Sequence, residues 1–130
     1  MFKKYKIGEI LKQDKVATQI LPNEKYCQLT VKMNHKGVVR RGTILGREVG
    51  SKQYEANSGK FIISRIDARN GAAGLIPSHL KKAIVTNDFP IFSINDEIVF
   101  PKYFEFLSST KVFDNICRMA SEGTIMDWVF

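Results

Sequence analysis

Two guanidinium groups and one amide, the side chains of Arg65, Arg69 and Asn70, occur close together in the chain. They follow residues 61–66, a β-branched and aromatic run that is typical of a strand. A turn is predicted at Asn70 and the glycine after it, because both residue types tolerate a positive φ. Donors on such a bend can hydrogen-bond to base edges or phosphates. The alternative is a solvated hairpin whose arginines pair with Asp67 or a neighbouring acid.

The residues that follow this bend have small side chains. Ala72, Ala73 and Gly74 leave almost no side chain beside the turn. Such residues allow another backbone or a ligand to come close. The sequence therefore predicts a site of close approach here, without deciding which of the two occupies it.

Basic charge is concentrated in the middle of the chain. The formal net charge is +7; residues 36–69 carry eight basic and three acidic side chains, whereas residues 83–130 carry three basic and seven acidic ones. This segregation predicts a surface that binds a polyanion and steers its association. Charge alone leaves DNA, RNA and an anionic surface open.

Length and composition indicate one soluble domain. A chain of 130 residues with 44% hydrophobic and 25% charged residues can bury a core, and no stretch is apolar enough for a membrane span or a signal peptide. A cytoplasmic location is therefore expected. Cys27 and Cys117 are expected to be buried thiols, since their spacing, and that of His35 and His79, does not indicate a zinc site.

Strand patterns come first and helix patterns last. Residues 26–33 alternate, and the predicted inner face carries Cys27, Leu29, Val31 and Met33. Short strands are also predicted at residues 75–77, 83–86, 90–94 and 98–100. The expected fold class is α+β: a mixed, largely antiparallel β-sheet with two C-terminal helices packed on one side, in a single domain.

Two helices are predicted after residue 100. Pro101 can occupy the first helical position, and Ser109 or Thr110 can cap the second helix. The second helix is expected to end at Gly123, and residues 124–130 are predicted to return as an edge strand with Trp128 over the core. Its core-facing stripe is predicted to be Val112, Phe113, Ile116, Met119 and Ala120.

No catalytic constellation can be assembled from the sequence. Ser64 lacks the Gly-x-Ser-x-Gly setting of a nucleophile, and neither histidine has an implied partner. Asp67, Asp88 and Glu97 could form the hard-oxygen cluster of a metal-dependent nuclease, but acids are common in turns such as theirs. We therefore predict a protein that is not an enzyme and needs no cofactor or metal.

Residues 63–72, with residues 74–77 and 85–90, resemble a target recognition domain from the specificity subunit of type I restriction–modification enzymes. The resemblance is long and specific in this central segment. Weaker matches flank it at residues 7–11, 37–42 and 121–124. The resemblance thus extends over most of the chain.

The resemblance implies a non-catalytic role. Such domains read one half of a split DNA target and hold methyltransferase subunits over it. The implied partners are double-stranded DNA, methyltransferase (modification) subunits and a restriction subunit, with no membrane. A full specificity subunit resembles two such domains separated by long helices, whereas residues 1–130 form one domain without them. The chain is therefore expected to be a fragment, a truncated product or a half-length relative.

Residue roles follow from the resemblance together with the basic segment. Base or near-base contacts are predicted for Arg65, Arg69 and Asn70, because arginine pairs with guanine and asparagine with adenine in the major groove. Phosphate contacts are predicted for Arg40, Arg41, Arg47 and Lys52. The alternatives are a standalone RNA- or anion-binding module, with Tyr54 as a stacking side chain, and the nuclease described above.

Overall fold

The computed structural model describes residues 5–119, in which strands precede the two longer helices. Short 3₁₀ helices occupy Gly46–Glu48 and Ala68–Asn70. The other elements are α1 (Ile7–Ile10), β1 (Leu11–Gln13), β2 (Lys25–Val31), β3 (Val38–Leu45), β4 (Tyr54–Glu55), β5 (Phe61–Ile63), β6 (Ala73–Leu75), β7 (Ala83–Val85), β8 (Ile91–Ile94), α2 (Pro101–Ser108) and α3 (Lys111–Met119).

The strands form two sheets. The first has the order β1-β8-β5-β6 and is antiparallel throughout, whereas the second has the order β3-β2-β7-β4 and contains one parallel pair, β2 with β7. The predicted α+β class is confirmed, and the strands divide between two sheets where the sequence analysis expected one. The reason is that β5 is buried on both faces, so it needs a packed layer on each side.

Alternate residues of β5 enter two different cores. Ile62 packs between the sheets, with the inner face of β2, whereas Phe61 and Ile63 pack against the helices. The rings of Phe104 and Phe113 meet Phe61 edge to face, with centroids 5.0 and 6.3 Å away. The helices therefore cover one side of the first sheet, as predicted, and the second sheet covers the other.

Two details of the helical region were predicted correctly. Pro101 is the first residue of α2. Thr110 caps α3, since its Oγ1 accepts a hydrogen bond from the backbone N–H of Phe113 at 3.4 Å. Both follow from local chemistry: proline has no N–H to leave unpaired, and a hydroxyl satisfies a free N–H in the first turn.

Several local predictions were wrong. The strand predicted at residues 75–77 lies at Ala73–Leu75 instead. The strand that begins at Phe61 ends at Ile63 rather than residue 66, because the chain turns at the buried Ser64. Residues 98–100 form no strand. Met33 lies beyond the end of β2 and is exposed, and Val112 is 63% exposed because Phe113 takes the core position of that turn. The side chains of Ile116 and Met119, Ala120, Gly123 and the predicted strand at residues 124–130 lie outside what the structure describes.

An ion pair and a serine hydroxyl connect β1, β5 and β8 of the first sheet. Lys60 Nζ lies 2.9 Å from Asp14 Oδ2 and donates to Ser93 Oγ at 2.9 Å, and Ser93 Oγ donates to Asp14 at 3.0 Å. The hydrogen bond from Lys60, followed by that from Ser93, lowers the pKa of Asp14. The ionised carboxylate is therefore favoured in the folded protein.

Replacing Lys60 with methionine is expected to destabilise the protein by less than about 1 kcal/mol at pH 7, because the pair is a third exposed. A carboxyl whose pKa is lowered by folding stabilises the fold above its unfolded pKa and loses that effect as the pH falls. The difference between wild type and variant should therefore shrink below about pH 4. Urea unfolding at pH 7 and pH 3 measures it. Lys81→Met, at an exposed residue, is the control; an unchanged difference at pH 3 would exclude this cause.

Candidate nucleic-acid interface

The bend after β5 is held by its own backbone and one buried hydroxyl. Ser64 is 4% exposed; its Oγ accepts the backbone N–H of Asp67 at 3.2 Å, and its N–H donates to the carbonyl of Ala72 at 3.0 Å. Gly71, which has φ +80°, follows the end of the 3₁₀ helix. This closed loop leaves Arg65, Arg69 and Asn70 on the surface.

The chain's own 34–37 turn occupies the site of close approach predicted beside the bend. The N–H of Asn34 donates to the Asn70 carbonyl at 2.7 Å, and the N–H of His35 donates to the Gly71 carbonyl at 3.1 Å. A Cβ on Gly71 would lie 2.9 Å from the His35 ring. The sequence left open whether another backbone or a ligand comes close to the bend, and in the structure it is the backbone of the 34–37 turn.

His35 also links this turn to the last helix. Its Nε2 lies 2.9 Å from Asp114 Oδ2 on α3, and the two side chains are 27% and 19% exposed. Because the 34–37 turn binds the bend and α3 at once, the bend is supported on two sides. Rigid support of this kind keeps hydrogen-bonding side chains in a constant orientation.

No acid within residues 5–119 forms an ion pair with the six cationic side chains among the predicted contact residues. The four ion pairs in this part of the chain involve other side chains. Asp67, the suggested partner of the arginines, instead accepts a hydrogen bond from Asn70 Nδ2 at 3.4 Å. Arg65 Nη2 donates to the backbone carbonyl of Asn87 at 3.2 Å. The guanidinium groups thus keep their charge available to an outside partner.

The turn at residues 86–89, which we call the turn site, gathers basic groups from distant parts of the chain. Arg65 binds it through the bond to Asn87 and through its own N–H, which donates to the Asp88 carbonyl at 2.9 Å. Lys15 lines a cleft with the same turn. The ammonium groups of Lys15 and Lys52 lie 5.0 and 5.8 Å from the centre of the Tyr54 ring.

Two ammonium groups therefore lie near the Tyr54 ring. A nucleobase that stacked on Tyr54, as the RNA-binding alternative predicts, would compete with them for the ring. Sequence reasoning missed Lys15, which stands in a polar stretch with no pattern. The lysines are brought together because residue 17 bridges to Tyr54 on the edge strand β4. No signal within the sequence marks that contact.

A second, open groove of about 610 Å³ lies between the bend and α3, and we call it the helix groove. Arg69 and Asn70 form one wall, and Lys111, Asp114 and Asn115 form the other. The three predicted base contacts are therefore divided: Arg65 lies at the turn site, whereas Arg69 and Asn70 lie at the helix groove. Lys111 adds a basic group that was not among the predicted contact residues.

The predicted phosphate contacts lie on other elements. Arg40 and Arg41 are exposed on β3, and Lys52 is exposed before β4. Arg47 is exposed on the 3₁₀ helix that follows β3, where its Nη2 donates to Asn23 Oδ1 at 3.4 Å. Arg41 alone of these lines a concavity that also reaches the turn site.

The nuclease alternative has no support in the part of the chain that the structure describes. No group of three or more histidine, cysteine, aspartate or glutamate side chains there is placed to hold a metal ion. Asp67, Asp88 and Glu97 accordingly do not form a cluster. Within the same residues no helix has the length and apolar character needed to cross a membrane.

The cysteines have separate surroundings. Both are free thiols; Cys27 is buried on β2, and Cys117 on α3 is partly buried. Burial, with a smaller effect of the Asp114 charge, raises the pKa of Cys117 to about 12. A thiol of this kind stays protonated at neutral pH and is a poor nucleophile.

Two solved structures are similar to nearly the whole chain. One is the crystal structure of the HsdS subunit from Thermoanaerobacter tengcongensis, with 16% identity, a TM-score of 0.79 and coverage of 98% of this chain and 37% of that one. The other comes from work on complex assembly and conformational transition of the type I R-M system, with 19% identity, a TM-score of 0.70 and coverage of 98% and 34%.

This chain therefore has the fold of part of these proteins and spans about a third of their length. The fold implied by the sequence resemblance is confirmed. No protein-family model and no curated protein sequence matches the chain.

Proposed function

We propose that the chain is a DNA target recognition domain that reads one half of a bipartite duplex target, as part of a type I restriction–modification specificity subunit. The observation that carries the proposal is the bend itself. It presents Arg65, Arg69 and Asn70 to solvent, and no acid of residues 5–119 neutralises its arginines. The similarity of fold to the HsdS subunit supports the same role.

In this proposal the two arginines and the asparagine of the bend contact bases. Arg69 and Asn70 would do so from the helix groove, and Arg65 from the turn site. Arg40, Arg47 and Lys52 would bind phosphates, which position a protein without reading sequence. Base contacts decide which duplex is bound, and phosphate contacts set how binding depends on salt.

Catalysis would then belong to other chains. Residues 1–130 would act as a single non-catalytic domain, in the cytoplasm, and methyltransferase and restriction subunits would carry out the reactions. The chains of the two similar structures are nearly three times as long as this chain. In this proposal the methyltransferase and restriction subunits would dock on the parts of a specificity subunit that lie outside residues 1–130.

Arg69→Ala is expected to cost about 1–3 kcal/mol on the preferred half-site and to relax selectivity at one base pair. Lys52→Ala is expected to weaken binding to all duplexes alike and to flatten the salt dependence by about one unit of slope. Fluorescence anisotropy with a panel of duplexes at several salt concentrations measures both. Low salt is needed at first, since one half-site offers a small interface.

Lys81→Ala, at an exposed residue remote in sequence from the proposed contacts, serves as the control and should change neither quantity. Equal behaviour of Arg69→Ala and Lys52→Ala would refute the division into base and phosphate contacts. Tighter binding to single-stranded RNA than to duplex DNA would favour the RNA-binding alternative. Magnesium-dependent cleavage of DNA by the purified chain would show that the domain is catalytic after all.

A further inference from the structure

A β-bulge separates the two neighbouring arginines of β3. In the register with β2, Gln28 faces Gly42 and Leu29 faces Arg40, so Arg41 is the extra residue without a partner. Bulges of this kind bend the strand and redirect a side chain. Arg40 lies opposite Leu29 and is not among the residues that line a concavity of about 300 Å³, whereas Arg41 is one of them. The two arginines thus have different surroundings.

Gln28 lines the same concavity as Arg41. Its strand partner is Gly42, so no side chain from that residue covers the Gln28 amide. Gly42 has no side chain, and a Cβ there would meet Gln28 Oε1 at 3.9 Å. Within residues 5–119, the side chains of Gln28 and Arg41 make neither a hydrogen bond nor an ion pair. Adjacent amide and guanidinium groups are therefore available to a ligand in a partly enclosed site.

The remaining residues that line the concavity favour an uncharged ligand group, such as the edge of a base, over a phosphate. Glu48 lines the concavity, and its negative charge opposes the approach of an anion. Phe89 adds an apolar surface, and Gln53, which is 9% exposed, donates its amide to Ser51 Oγ at 3.0 Å. Polar lining residues, an aromatic side chain and free donors together suit the edge and face of a nucleobase.

We propose that Gln28 and Arg41 form a second base-reading element, and that Arg41 contacts a base edge rather than the phosphate assigned from sequence. The inference rests on the proposed function and extends it. Phe89 belongs to the turn site, where Arg65 binds, so this element continues the surface on which the bend lies. Guanidinium and amide groups are the donors that pair bidentately with guanine and adenine.

The test begins with selection of the preferred duplex by the full chain from a random library. Affinities are then measured for every single base-pair change, with wild type and with Gln28→Ala, Arg41→Ala and Arg40→Ala. Gln28→Ala and Arg41→Ala should each lose about 5- to 150-fold discrimination at one base pair and keep the others. Arg40→Ala, the matched control one residue away, should weaken all duplexes alike. Thermal unfolding checks that each variant is folded.

Gln28→Glu keeps the shape of the side chain and replaces the amide donor with an acceptor. It should change the preferred base at the same position, towards cytosine, whose amino group donates to carboxylates. If Arg41→Ala weakens all duplexes alike, and Gln28→Ala and Gln28→Glu leave selectivity unchanged, the inference is overturned while the proposed function stands. If wild type selects no duplex, the proposed function fails, and this inference fails with it.

Discussion

Replacing Phe61 with alanine is expected to lower the free energy of unfolding by about 3–5 kcal/mol. Phe61 is fully buried, and both Phe104 and Phe113 pack edge to face against its ring. Alanine would remove the ring that connects the first sheet to α2 and α3. Urea unfolding followed by circular dichroism measures the change.

The matched control is Phe106→Ala on α2, whose side chain is 65% exposed and stacks against Tyr103, with ring centroids 6.5 Å apart. It should change the free energy of unfolding by no more than about 0.5 kcal/mol. Similar losses from the two substitutions would mean that the aromatic cluster does not hold the helices. Because α3 forms one wall of the helix groove, Phe61→Ala should also weaken the proposed DNA binding beyond the loss of folded protein.

Replacing Gly46 with alanine is expected to cost about 3 kcal/mol or more, since overpacking against the backbone cannot be relieved by a rotamer change. A Cβ on Gly46 would overlap the carbonyl oxygen of Leu21 and come within 2.7 Å of its carbonyl carbon. The N–H of Gly46 donates to the Glu24 carbonyl at 2.8 Å, so the two segments cannot separate freely. Thermal or urea unfolding measures the loss.

Gly50→Ala provides a control four residues later. A Cβ there meets nothing within 4 Å, and the residue is exposed. The substitution should be neutral or stabilising by about 0.5 kcal/mol, because alanine restricts the unfolded chain more than glycine does. If both glycine substitutions were neutral, the close contact between Gly46 and Leu21 would be wrong. Only the atoms that surround each glycine in the tertiary structure distinguish the two positions.

Local sequence patterns predicted the presence of helices and strands better than the residues at which they end. The alternation of β2 was correct for Cys27, Leu29 and Val31, because burial of one face is imprinted on every second residue. Met33 continued the pattern but lay beyond the strand, and Val112 occupied a helical stripe position yet is exposed. Pattern reasoning assigns a side chain to a face, whereas the neighbouring elements determine how much of that face is covered.

The candidate site was predicted only in part for a related reason. The exposed arginines of the bend could be identified from residue types and charge, since a polyanion-binding surface needs unpaired cations. The sequence could not predict which basic side chains come together at the turn site. Lys15 lies over the Tyr54 ring, and Gln28 and Arg41 line one concavity, because segments distant in sequence pack together. The bulge at Arg41 has no signature in the chain.

The amino-acid sequence by itself determined the fold class, the segregation of charge and the chemistry of the bend, because these depend on composition and on neighbours along the chain. The tertiary structure alone decided that the strands form two sheets, that His35 joins the 34–37 turn to α3, and which residues share a concavity. These depend on packing between segments far apart in sequence, where the contact energy of many residues, rather than the preference of any one, selects the arrangement.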